Sequence, residues 1–163
     1  DASDTHGISG NDISAWDVSK VKDMGYMFTN ASDFNQDISK WNVGRVTNLE
    51  AMFAGATSFN QDLSEWNVSD VTDMDMMFFA ALSFDQNLSK WDVGDVTEMN
   101  GMFEGVTLST ANYDAILNGW SGLMLQNDVN FHGGNSKYSS AAEAARAKII
   151  SDFNWTITDG GKE

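Results

Sequence analysis

Apolar positions recur at a fixed interval of 25 residues along most of the chain. One column is Trp16, Trp41, Trp66 and Trp91. Val18, Val43, Val68 and Val93 follow it, then Val21, Val46, Val71 and Val96. Met24, Leu49, Met74 and Met99 make another column, as do Met27, Met52, Met77 and Met102, and Phe28, Phe53, Phe78 and Phe103. Phe34, Phe59 and Phe84 complete the set, and Ile13, Ile38, Leu63 and Leu88 lead into each tryptophan. The decapeptides "FNQDISKWNV", "FNQDLSEWNV" and "FDQNLSKWDV" differ by a few letters only. A constant period in the range of about 20–50 residues predicts a stack of equal coils.

Each repeat has two parts. In "DLSEWNV" the apolar points are Leu63, Trp66 and Val68, which suits a short strand and its turn. In "VTDMDMMFFAALSF" the apolar points fall at residues 71, 74, 77, 78, 81 and 84. Gaps of three and four predict a short helical arm, partly of 3₁₀ type. Neither part can bury its apolar side alone, so stacked coils must share one core. The expected fold is α/β: a leucine-rich-repeat-like solenoid of about four 25-residue coils, each a short strand plus a short helical arm, with a C-terminal α/β capping unit. Residues 1–10 read as an N-terminal linker, 11–105 as the solenoid, 106–160 as the cap and 161–163 as a second linker. The polar ends give the chain the look of a piece of a longer protein.

The cap begins where the repeat fails. After Phe103 the expected Ala and "FNQ" become Val106 and "LSTA". Ser109 or Thr110 suits an N-cap and Gly119 a C′ residue for "ANYDAILN". Ser140 with Glu143 spells a capping box for a second helix. "VNFH" and "WTIT" read as strands. A solenoid end exposes apolar core and needs such a lid.

The layout resembles leucine-rich-repeat solenoids. More closely, "MFAGATSFNQDLSEWNVSDVTDM" resembles the repeat of the BspA-like bacterial surface-protein family, the DUF285 type, over Ile13 to Gly105. "LSTANYDAILNGW" and the stretch that begins "VNFHGGNSKYSSAAEAARAK" are similar to the ending that closes such arrays. The resemblance implies an extracellular, non-catalytic adhesive or binding module at the bacterial cell surface. It does not specify the ligand.

Charge narrows the partners. Lys and Arg total 9 against 24 Asp and Glu, a formal net charge of −15. Residues 62–104 hold 10 of the acids and a single base, Lys90. Nucleic acid and anionic membrane surfaces need a basic patch and are excluded as partners. No apolar run is long enough to insert in a membrane. Cysteine is absent, which excludes disulfides and thiolate metal sites.

The acids accumulate in columns. Lys20 and Arg45 give way to Asp70 and Asp95; Asp23 and Asn48 are followed by Asp73 and Glu98; Gly25 and Glu50 are followed by Asp75 and Asn100. Carboxylates stacked about 5 Å apart either share a proton or hold a cation between them. Ca²⁺ favours such clusters, with about six to eight oxygen ligands. Asp70, Asp73, Asp95 and Glu98 are the candidate Ca²⁺ ligands, and a solvated acidic face without specific ions is the alternative. Asp75 and Asn100 extend this face as candidate partner contacts. Trp120, with Tyr113 and Tyr138, is a candidate exposed aromatic for a glycan or peptide.

The tryptophan column predicts a ladder of touching indoles in the core, the alternative being a sugar-stacking face. The Asn and Asp columns at 17, 42, 67, 92 and at 35, 60, 85 predict an inward amide ladder that satisfies turn backbone. Catalysis has no inventory: the two histidines, His6 and His132, lack partners at ligand or nucleophile spacing, and no nucleotide or nucleophile motif occurs. The expected function is adhesion through protein–protein contact, including Ca²⁺-dependent homodimerisation with a second copy. A glycan- or peptide-binding module and a passive spacer are the alternatives.

Overall fold

The computed structural model describes residues 12–163. The expected linker over residues 1–10, together with His6, lies outside the described residues.

From Asp12 to Gly105 the backbone bonds to itself at an offset close to one repeat. Met24 N donates to Asn48 O at 3.0 Å, Leu49 N to Asp73 O at 2.9 Å and Met74 N to Glu98 O at 2.8 Å. Parallel bridges run in register through Asp23, Asn48, Asp73 and Glu98. Four segments therefore stack, 12–36, 37–61, 62–86 and 87–109, with equivalent residues over one another.

The helical arm expected over 71–84 is a chain of tight turns instead. Even-numbered amides of the first segment reach the next one: Tyr26 N to Glu50 O, Phe28 N to Met52 O, Asn30 N to Ala54 O. The odd-numbered amides close turns three residues back: Met27 N to Met24 O, Thr29 N to Tyr26 O, Ala31 N to Phe28 O. An α-helix spends every amide within itself and would leave none to join segments. Two columns hold the turns open with left-handed backbone. Tyr26, Ala51, Met76 and Gly101 have φ of 61°, 49°, 51° and 63°; Asn30, Gly55, Ala80 and Gly105 have 59°, 72°, 53° and 83°.

Inside the stack the rings that run continuously are phenylalanines. Phe28, Phe53, Phe78 and Phe103 stack at 5.6, 5.5 and 5.4 Å between centroids, and Phe34, Phe59 and Phe84 at 5.7 and 6.1 Å. The two columns interleave, with Phe53 and Phe59 4.0 Å apart. The indoles behave differently from the expected touching ladder. Trp16 stacks on Trp41 at 6.3 Å. Trp41, Trp66 and Trp91 each tilt against a phenylalanine of the preceding segment. Their Nε1 atoms donate to Ile13 O, Ile38 O and Leu63 O of the preceding segment, at 3.1, 3.1 and 2.9 Å. All three of these indoles are buried, so the column is core from Trp41 onward, while Trp16 is half-exposed.

Turn corners use the short polar side chains. Asp17, Asn42, Asn67 and Asp92 each accept the amide two residues on, from Ser19, Gly44, Ser69 and Gly94. They do this from exposed rather than inward positions, because the amide they satisfy is at the outer corner. Asn35 and Asn60 bond between segments: Asn35 Oδ1 accepts from Asn60 N and Gln61 Nε2, and Asn60 Oδ1 from Asp85 N and Gln86 Nε2.

The C-terminal unit adopts the same bonds with different elements. Helix α1, Thr110–Trp120, is N-capped by Ser109. Asn112 Nδ2 donates to Asp85 O and Oδ1 at 2.9 and 2.8 Å, taking the place a glutamine holds in the repeats. Trp120 Nε1 donates to Leu88 O at 3.2 Å and forms a fifth indole rung. Gly119 is therefore inside α1, not beyond it; a side chain there would stand 2.3 Å from Ser89 O. Strand β1, Asn130–His132, continues the stack through a parallel bridge from Met99 to Phe131 and a bond from Phe103 N to His132 O.

Helix α2, Glu143–Phe153, starts without the expected Ser140 capping box: Ala142 is its N-cap, with no side-chain bond. Strand β2, Thr156–Thr158, pairs in parallel with β1. Residues 161–163, expected as a linker, are bonded into this unit: Tyr138 N donates to Gly161 O and Glu163 N to Tyr138 O. Its centre is ionic. Arg146 Nε meets Asp159 Oδ2 at 2.8 Å, and Tyr113 OH donates to the same oxygen at 2.9 Å.

Candidate functional site

The stacked segments turn their variable columns outward. The acidic residues of the second, third and fourth segments lie there on fixed backbone. Asp73 and Glu98 are bridge partners, and Asp73 Oδ1 accepts Asp75 N at 2.9 Å. Asp75 Oδ1 accepts Asn100 N at 2.6 Å, and Asn100 Nδ2 lies 3.1 and 3.2 Å from the two Asp75 oxygens and 3.3 Å from Glu98 Oε2. An amide thus joins the carboxylates of Asp75 and Glu98. Tyr26 OH donates to Glu50 Oε1 on the same face.

Burial, and then the charges of Asp75, Glu50 and Glu98, push the Asp73 carboxyl above its ordinary value; its bond from Asp75 N opposes them. The Tyr26 phenol is raised first by its bond to Glu50.

Asp70 and Asp95 stand elsewhere. Together with Asp92, Met124 and Gln126 they line an open groove of about 500 Å³ between the third and fourth segments and the loop after α1. Gln126 Nε2 ties that loop to Gly94 O at 3.0 Å. The four expected Ca²⁺ ligands thus form two pairs, Asp73 with Glu98 and Asp70 with Asp95. Among the described residues no three His, Cys, Asp or Glu side chains are grouped to hold a metal ion.

Trp120 needs correction as a ligand contact. It is fully buried, because its indole is a rung of the internal column. Tyr113 is buried, and burial, then the Asp159 carboxylate beside it, raises its phenol far above the ordinary range. Tyr138 is half-buried under the Arg146 guanidinium, 5.1 Å from its ring centroid.

The stack of 25-residue segments matches a family described as "Mycoplasma protein of unknown function, DUF285", over residues 2–117. The chain belongs to the DUF285 family. No curated protein and no solved structure matches it.

Three residues of this DUF285 chain were not singled out by the periodicity. Met76, Phe79 and Leu82 are large, apolar and exposed, and all lie in the third segment. For Phe79 and Leu82 the signal was in the sequence, as departures from their columns. Phe79 replaces Thr29, Ala54 and Glu104; Leu82 replaces Ser32, Thr57 and Thr107.

Proposed function

We propose that this chain is a non-catalytic binding module of a bacterial surface protein, making protein–protein contacts outside the cell. Membership of the DUF285 family supports a surface protein at the coarse level. The finer reading is a BspA-like array: a leucine-rich-repeat-like α/β solenoid closed by its C-terminal unit. The segment-to-segment bonds at one-repeat offset support that architecture. A frame held by apolar columns presents its outer columns as a fixed surface, and loops and turns on rigid scaffolds are where binding residues concentrate.

One observation carries the reading. The inward columns barely change between segments, whereas the outward ones collect acids in the third and fourth and large apolar residues in the third. A passive spacer gives no reason for that bias. Of the candidate aromatics for glycan stacking, Trp120 and Tyr113 are in the core and Tyr138 is half-buried.

Beads coated with the chain test this. They are expected to adhere to a layer of extracellular-matrix protein, to lose adherence after protease treatment of the layer, and to keep it after periodate oxidation. Adherence equal to that of uncoated beads would sink the reading; loss on periodate alone would make it a glycan module. Clumping of the beads with one another would report contact between copies. Calcium enters as a variable. Adherence that needs added Ca²⁺ would make Asp73 and Glu98 a bridging pair, and adherence unchanged by chelator would assign the contact to the chain's own side chains.

A further inference from the structure

We propose that Met76, Phe79 and Leu82, rimmed by Glu50, Asp75 and Glu104, form a docking surface for a protein segment that presents apolar side chains flanked by lysine or arginine. The proposal rests on the protein-contact reading and names the partner's chemistry.

Met76, Phe79 and Leu82 are 40%, 37% and 64% exposed. Backbone need does not place them there. Met76 shares its left-handed φ with Tyr26, Ala51 and Gly101, and Phe79 N closes on Met76 O at 2.9 Å as Ala54 N closes on Ala51 O at 3.1 Å. The other segments build the same turns with small or polar residues at columns 79 and 82. Exposed apolar residues gathered in one place mark interaction surfaces.

The rim is close. Above Gly101, the point a Cβ would occupy lies 3.1 Å from Met76 Cγ and 3.5 Å from Glu104 Oε2. Glu104 O accepts Ala80 N at 2.8 Å, and Ala51 N donates to Asp75 O at 2.8 Å. These bonds bring Glu104 and the Glu50–Ala51 turn against the third segment, in which Asp75 directly precedes Met76. Among the described residues the ion pairs are Lys90–Glu65, Arg146–Asp159, Lys148–Asp152 and Lys162–Glu143, and none includes a rim acid.

Charge decides between occupants. A second copy would bring the same acids, and an anionic lipid surface the same sign of charge; both are repelled. An apolar segment flanked by bases fills the patch and neutralises its rim.

The test compares the full chain with a Phe79→Ala, Leu82→Thr double variant, whose new residues are those of the second segment at Ala54 and Thr57. Circular dichroism and thermal melting confirm the fold of the variant. Probes are an alternating Leu/Lys peptide, a Leu/Glu peptide and oligolysine of equal length, read by fluorescence anisotropy at physiological salt. The Leu/Lys peptide is expected to bind the variant about tenfold more weakly than the parent chain, oligolysine to bind both alike, and Leu/Glu to bind neither. Equal Leu/Lys affinity for chain and variant would overturn the proposal. So would Leu/Glu binding as tightly, or a dimer in sedimentation that the double variant abolishes. Bead adherence separates the two readings. Variant beads that still adhere remove the patch and leave surface contact standing. Parent beads that fail to adhere while Leu/Lys binding is patch-dependent remove surface contact and leave the patch.

Discussion

The indole of Trp66 makes two attachments, filling the core beside Phe53 and donating Nε1 to Ile38 O. Trp66→Phe removes ring volume and one of the two bonds that Ile38 O accepts, leaving it only the one from Trp41 N. The expected loss is about 2–4 kcal/mol, read from the urea midpoint. Trp16→Phe, at a half-exposed rung, should cost less than about 1 kcal/mol on the same burial scale. Ala80 holds φ at 53° with a Cβ that disfavours it. Ala80→Gly should therefore stabilise by up to about 1 kcal/mol, and Gly105→Ala in the same column should destabilise by about as much. Asp73 gives a pH signature. Its folded pKa lies above its unfolded value, so its ionised form opposes folding. That penalty is complete above the folded pKa and is relieved as pH falls through it towards 3.8. Asp12, Asp17, Asp37 and Asp62 act oppositely: turn bonds from the serine two residues on lower them, and their contribution is lost below the same value. Stability should thus rise slightly on mild acidification and fall below it. Asp73→Asn copies Asn48 and keeps the turn acceptor. It should remove the rise and stabilise at neutral pH by under about 1 kcal/mol, less in high salt.

At the scale of elements, α1 docks through a contact that only glycine permits. A Cβ on Gly119 would meet Ser89 O at 2.3 Å and Ser89 Cβ at 2.9 Å, so Gly119→Ala should push α1 off the fourth segment. Faster hydrogen exchange at Asn112 and Trp120 with little change at Phe53 would show this; uniform loss of protection would contradict it. The apolar columns and the position of α1 were legible in the sequence because side-chain direction repeats with the chain. The turns were not. Gaps of three and four between apolar residues fit a helical arm and a run of i→i−3 turns equally well. What separates them is the left-handed column, and its occupants Tyr26, Ala51 and Met76 carry no glycine signal. Trp120 was misread for a related reason. It lies 29 residues after Trp91, off the period, because a helix rather than a turn delivers it to the same column. The outward patch was legible only by reading columns for their exceptions, since a search for periodicity rewards agreement.

For the whole molecule, one rule of register governs both core and surface: every segment bonds to the next through residues about one repeat apart. Deleting residues 37–61 joins Gln36 to Asp62 and restores the sequence of a normal junction, "FNQDLSEW". Trp66 then meets Ile13 O as Trp41 did, and Met24 N meets Asp73 O in place of Asn48 O. The shortened chain should fold with near-unchanged circular dichroism per residue, and its denaturant slope should be smaller because less surface is exposed on unfolding. Deleting 37–60 instead shifts each later column by one residue against the first segment. Phe53 and Phe28 were partners in one stack; after this deletion the first segment's aromatic column faces Met77 and Phe78 out of step. Polar positions then enter the core, at a cost of about 1–3 kcal/mol for each unsatisfied group, and no single turn can absorb the slip because its amides alternate between two partners. The longer deletion should therefore give the more stable protein. Equal unfolding midpoints for the two would mean that the segments do not stack by residue-to-residue register, and the docking surface built on neighbouring columns would lose its basis as well.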